Sequence, residues 1–230
     1  MMIKKQNYLK HAIVLFLLLL LMQPERAWAA YENVEFSSLT NHDGLTNSQV
    51  GAILKDTRGY IWFGTQSGLC RFDGFRMKTF YYINTDDKSL PNNSVDELQQ
   101  DYDGNIWVHT SVGYSIYKYD EEQFERKPEE WLKNIHVQGP PYKLLIDKDK
   151  NMWIAVYGQG LYYHNAKTKN TYLFKFTKKA QPGCLKEGNI SKITEVDGDA
   201  LITYNDGTIC RVNGQKQKVL WYNSFLATHK

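Results

Sequence analysis

Six histidines, three cysteines and two carboxylate clusters are the residues of this 230-residue chain that could carry chemistry. His11, His42, His109, His136, His164 and His229 show no metal-site spacing, and neither a zinc pattern nor a CxxC motif is present. Asp101-Tyr-Asp103-Gly104-Asn105 resembles the opening of a calcium loop, but the later ligands and the bidentate Glu are missing. A turn is the better reading. Glu121, Glu122, Glu125, Glu129 and Glu130 lie near Trp131, and paired carboxylates could cleave a glycosidic bond. Spacing does not pair them, and a solvated loop accounts for the same cluster. His109 stands two residues after Trp107, on the same face of an extended run, where a packed or solvated histidine is expected. These patterns assign no catalytic residue, no metal ligand and no cofactor, and they leave the ligand-binding residues unknown. Tyr114, Trp131, Tyr157 and Tyr162 could contact a ligand, or could equally be core.

The charge of the whole chain is +3, and its basic excess sits at the start. Lys4, Lys5 and Lys10 precede an apolar run from Ala12 to Met22, and Ala27-Trp28-Ala29 follows. This is the order of a secretion signal over residues 1–29, with cleavage after Ala29. The run is short for a membrane span, although its leucine density keeps an uncleaved anchor open. Removal of the segment takes away four of 28 basic and one of 25 acidic residues. The mature chain would then be neutral, and no electrostatic case for nucleic acid remains. Export places the three cysteines where thiols oxidise. Cys184 with Cys210 would be the pair and Cys70 the free thiol, or all three are independent small buried residues.

What positions these residues is a repeat. Residues 45–68 align without a gap on residues 90–113, with nine of 24 positions identical, among them Asp56/Asp101, Gly59/Gly104, Ile61/Ile106 and Trp62/Trp107. A weaker copy holds Asp147, Asn151, Trp153 and Gly158-Gln159-Gly160. A fourth runs through Ile190, Ile193, Asp197-Gly198 and Asp206-Gly207, with Leu201 in the tryptophan's place. Within the first copy, Val50 to Lys55, Tyr60 to Thr65, Leu69 to Phe72 and Phe75 to Tyr82 read as strands, separated by Asp- and Gly-bearing turns. Outer strands are expected again at 123–126, 171–176 and 218–222. Four strands per repeat of about 45 residues predict an all-β fold of β-propeller blades. The boundaries fall near 36–82, 83–127, 128–176 and 177–222, within a repeat region of 30–222. Residues 223–230 would open a further blade or a linker. About four four-stranded antiparallel blades with no evident closing strand read as part of a larger propeller.

Phe36 to Val50, then Asp56-Thr-Arg-Gly-Tyr-Ile-Trp-Phe-Gly-Thr65 and Gly68-Leu-Cys-Arg-Phe-Asp-Gly74, resemble the start of the two-component regulator propeller. Ser89-Leu-Pro-Asn-Asn-Ser-Val95 with Asp103-Gly-Asn-Ile-Trp107 is similar to a second copy. The resemblance implies the periplasmic sensor region of a hybrid two-component histidine kinase, whose full-length relatives are anchored in the inner membrane. It implies an oligosaccharide ligand, signalling to polysaccharide-utilisation genes, and contacts with other blades or downstream sensor domains, with a homodimer in full-length form. No kinase motif is present here, so this chain is not expected to be an enzyme. A secreted glycan lyase or glycosidase, or a nonfunctional or protein-binding propeller fragment, are the competing expectations.

Overall fold

The computed structural model describes residues 37–178 and 185–223. The expected secretion signal, Cys184 and residues 224–230 lie outside the described residues. Four antiparallel sheets follow one another along the chain, each a simple meander. The first contains β1 (Val50–Lys55), β2 (Ile61–Thr65), β3 (Gly68–Phe72) and β4 (Met77–Phe80). The second contains β5 (Val95–Gln100), β6 (Ile106–Thr110), β7 (Gly113–Lys118) and β8 (Gln123–Glu125), and is followed by a one-turn-and-a-half helix α1 (Pro128–Lys133). The third has β9 (Pro141–Ile146), β10 (Met152–Val156), β11 (Gly160–His164) and β12 (Thr171–Thr177), with a short parallel strand β13 (Leu185–Lys186) beside β12. The fourth has β14 (Ile190–Val196), β15 (Asp199–Tyr204), β16 (Ile209–Asn213) and β17 (Lys218–Asn223).

The sheets stack through their faces, with β1 against β5 and β9 against β14 at the inner edge. Trp62, Leu69 and Phe80 of the first sheet meet Leu98, Val108 and Phe124 of the second. Trp107 and Ile116 meet Leu144 and Ile154 of the third, and Trp153 and Tyr163 meet Ile193, Ile202 and Val212 of the fourth. Burial on both faces explains why β10 and β11 lack alternation: every residue of both is buried.

One carboxylate pins the repeat tryptophan of each of the first three sheets. Asp56, at the first position of the β1–β2 turn, accepts the amides of Arg58 and Tyr60 on one oxygen and the Trp62 indole N–H, at 2.7 Å, on the other. Asp101 does the same for Asp103, Asn105 and Trp107, with the indole at 2.9 Å. Asp147 repeats it for Asp149, Asn151 and Trp153 at 3.4 Å. The turn that resembles a calcium loop is therefore a turn whose carboxylate is already occupied by donors. In the fourth sheet Leu201 offers no donor, and a two-residue turn replaces the longer one. Asp197 and Gly198 both take positive φ there, the backbone of a tight hairpin.

The carboxylate-rich stretch after β8 departs from the expected loop. Residues Pro128–Lys133 form α1, with proline in the first turn and Glu129 and Glu130 beside it, the polarity that a helix N-terminus favours. Trp131 packs edge-on against Trp107, centroids 5.5 Å apart, and Leu132 is fully buried beneath the helix. Cys210 is a free buried thiol, as is Cys70. Burial pushes the Cys210 thiol up to about 12.

Candidate functional site

Meander topology sorts the connections to two ends of the stack. The β1–β2 and β3–β4 turns, with their counterparts in later sheets, share the end marked by Asp56, Asp101 and Asp147. The β2–β3 turns and the segments leading into β5, β9 and β14 share the other. At this second end, the inner strands of all four sheets carry a bulge, at Gly51, Asp96, Tyr142 and Ser191, where one extra residue interrupts the register.

The bulge in β5 turns Asp96 toward β6, where its carboxylate meets His109 Nδ1 at 2.5 Å. The His109 ring lies 4.4 Å from that of Tyr114. Tyr114 is 6% exposed; its hydroxyl donates to Glu97 at 3.0 Å and accepts the Leu144 amide at 3.1 Å. Burial first, and the Glu97 charge second, raise the Tyr114 hydroxyl well above the usual tyrosine range. Gln99 completes the joint by donating to the Leu144 carbonyl and accepting the Ile146 amide, satisfying the edge of β9 with a side-chain amide. Tyr114 is thus a structural bridge between two sheets.

Tyr157 differs. It occupies the β10–β11 turn, is 63% exposed, and stacks on Tyr142 at the start of β9 with centroids 4.0 Å apart and planes 17° from parallel. The Tyr142 hydroxyl accepts the Ile190 amide at 3.4 Å, which anchors the lower ring to the fourth sheet. Burial raises the Tyr142 hydroxyl. Polar groups line the same end: Asn47 donates to Ser67, Ser94 donates to Gln66 across two sheets, and Gln159 holds the Gln138 carbonyl. Lys186 on the Asp206 carboxylate lowers that group to about 2.

Of the four aromatic residues singled out in the sequence, Tyr114 and Tyr162 are core, each 6% exposed, and Trp131, on α1, is partly buried against the same cluster. Tyr157 is presented to solvent. Tyr142 was not singled out; its place at the first turn of an inner strand, opposite a turn tyrosine, was the available signal. The arrangement can offer an aromatic face edged by neutral hydrogen-bonding groups. Among the described residues no cluster of three or more metal-binding side chains is present.

Meander sheets of four strands stacked face to face define a domain of β-propeller blades. The two-component regulator propeller model matches residues 44–67 and 89–111, the turn-and-tryptophan segments of the first two sheets. Histidine kinase P4 of Formosa agariphila is 30% identical over 141 residues, which are 60% of this chain and 10% of that protein. The extracellular domain of a hybrid two-component system from B. thetaiotaomicron aligns with a TM-score of 0.57 and 23% identity, covering 82% of this chain and 26% of that one. The extracellular domain of a one-component system from the same organism gives 0.50 and 16%, over 81% and 26%. PorZ, a surface component of the type-IX secretion system of Porphyromonas gingivalis, gives 0.50 and 12%, over 79% and 23%. The chain thus spans about a quarter of the solved chains and a tenth of the kinase. At these identities the solved structures establish the fold, and PorZ shows that the fold serves more than one task.

Proposed function

We propose that this chain is the exported, ligand-sensing propeller part of a two-component sensor, and that it detects an oligosaccharide at the end bearing Tyr142 and Tyr157. The stacked, exposed tyrosine pair carries this reading: two rings held flat by neighbouring strands give a pyranose ring an apolar face, and the amides around them match its hydroxyls. Kinship of the repeats to extracellular sensor regions supports it, as does the secretion-signal pattern. Binding would shift the placement of the blades relative to downstream sensor parts, and the kinase would read a change of population. Ligand at about a hundred times Kd stabilises by about 2.7 kcal/mol. In a chain of this size that is a rise of about 5–10 °C in melting temperature. The test is a thermal-shift screen of the full chain against plant and host glycan fragments, with Tyr157→Ala as the control. A rise in the wild type that the variant loses supports the reading, and no shift across the panel sinks it.

A second reading, a secreted glycan-cleaving enzyme, draws on the convergence of Asp96, His109 and Tyr114. It is the weaker one, because Tyr114 is buried with its hydroxyl engaged on both sides. Reducing-end or unsaturated-product assays on the same glycans, with His109→Ala alongside, discriminate the two.

A further inference from the structure

We propose that the cleft between the third and fourth sheets, at the end opposite Tyr157, is a second binding site for a neutral, hydroxyl-rich ligand. The class of ligand rests on the reading above; the location does not. The cleft holds about 710 Å³ and lies between the 165–170 turn of the third sheet and the 214–217 turn of the fourth.

Comparison of the three interfaces gives its physical origin. Between the first and second sheets, Arg58 of the β1–β2 turn lies over the Tyr119 ring at 3.8 Å and closes the gap. Between the second and third, Lys169 covers the Tyr102 ring at 3.3 Å. Between the third and fourth, Lys148 pairs with Glu195 and Lys150 reaches back to the Gln100 carbonyl, Gln215 and Gln217 flank the cleft from the other side, and among the described residues no cation lies over an aromatic ring there. Gly214 accentuates the opening: a Cβ there would sit 2.5 Å from the Tyr163 ring, so the fourth sheet's turn must pass the third as bare backbone.

The lining suits an uncharged polyol. Asn170, Gln215 and Gln217 are exposed and each side-chain amide offers both a donor and an acceptor. Tyr172, 37% exposed, is braced edge-on by Phe174 at 4.7 Å, which holds its ring as a fixed wall. Lys167 and Asp149, one of each sign, leave the cleft without net charge and without a preference for an anion.

Hydrogen exchange of the full chain tests the site. The probes are hexasaccharides of β-1,4-xylan and β-1,3-glucan, with a galacturonic acid hexamer as the acidic comparator. The neutral probes should protect residues 165–172 and 214–217, and Tyr172→Ala and Gln217→Gly should each weaken that protection at least tenfold in probe concentration. Gln217 already has φ 52°, so glycine fits its backbone, and both positions are exposed, so the variants keep the fold. Protection confined to 139–142 and 157–159 overturns the cleft and leaves the functional reading standing. Protection confined to the cleft retains the site and overturns the tyrosine pair as the sensor. Protection at neither end overturns both, and protection by the acidic probe alone overturns the neutral class.

Discussion

The carboxylate of each pinning aspartate is shared between a turn and an indole, so removing it costs twice. Asp101→Ala leaves the amides of Asp103 and Asn105 and the fully buried Trp107 N–H without their acceptor. The stranded indole alone should cost about 1–3 kcal/mol, read as a lower urea midpoint. Asp147→Ala should cost less, since its indole bond is 3.4 Å long. His164 is the second residue with a measurable signature. Its Nδ1 meets Thr171 Oγ1 at 2.9 Å, and that hydroxyl donates to the Ile135 carbonyl, so Nδ1 carries the proton. Nε2 is left bare and buried. Burial first, and Lys169 second, lower its pKa from 6.5. The unfolded chain therefore binds the proton more readily, and the stabilising contribution present above pH 6.5 is lost as pH falls toward the folded value. Asp101 and Asp147, raised by burial, act in the opposite sense from pH 3.8 upward. The difference between wild type and His164→Asn isolates the histidine. Melting curves from pH 5 to 8 should show the wild type losing more stability on acidification than the variant.

At the scale of the elements, backbone proximity between sheets is set by absent side chains. A Cβ on Gly64 would come within 2.6 Å of Val95 Cγ1 in the next sheet. Gly64→Ala should destabilise by about 1–3 kcal/mol, and Val95→Ala in the same chain should recover part of it, a coupling measurable by a double-mutant cycle. Strands and turns of the first two sheets were legible because Asp-x-x-Gly and Ile-Trp recur there at fixed spacing; the third kept only the Asp147-to-Trp153 step, and the fourth only its Asp-Gly turns. The six-residue step from Asp56 to Trp62 was equally visible, yet its hydrogen bond was not, because a hairpin's turn must fold before carboxylate and indole face each other. The helix at Pro128–Lys133 was missed: six residues show too little periodicity, and its glutamates read as solvated surface. Tyr114 and Tyr162 could not be told from surface aromatics by alternation, since strands covered on both faces do not alternate.

At the scale of the whole molecule, two sheet faces stand apart among the described residues. Thr194, Leu201, Arg211 and Trp221 form one line across the fourth sheet, on the side that in earlier sheets carries the pinned tryptophan. Trp221 is 45% exposed there. On the first sheet Ile53 is 66% exposed beside Phe63. Apolar faces of this kind favour association. The purified chain should sediment as oligomers at micromolar concentration, and Ile53→Lys with Trp221→Lys should shift it toward the monomer. An unaltered distribution in that double variant would remove these faces from the account.

The pinned indoles also make the chain its own spectroscopic probe. Trp62, Trp107 and Trp153 are sealed from water and each is tied to a carboxylate, while Trp221 faces solvent. Emission from the first three should redden as their own sheets open, and phenylalanine at each position in turn would assign the colour change to one sheet. With Leu201 in place of a sealed indole, the fourth sheet has no pinned tryptophan of its own, so its opening should be reported by Trp153, which packs on Ile193 and Ile202, and that signal should vanish in Trp153→Phe.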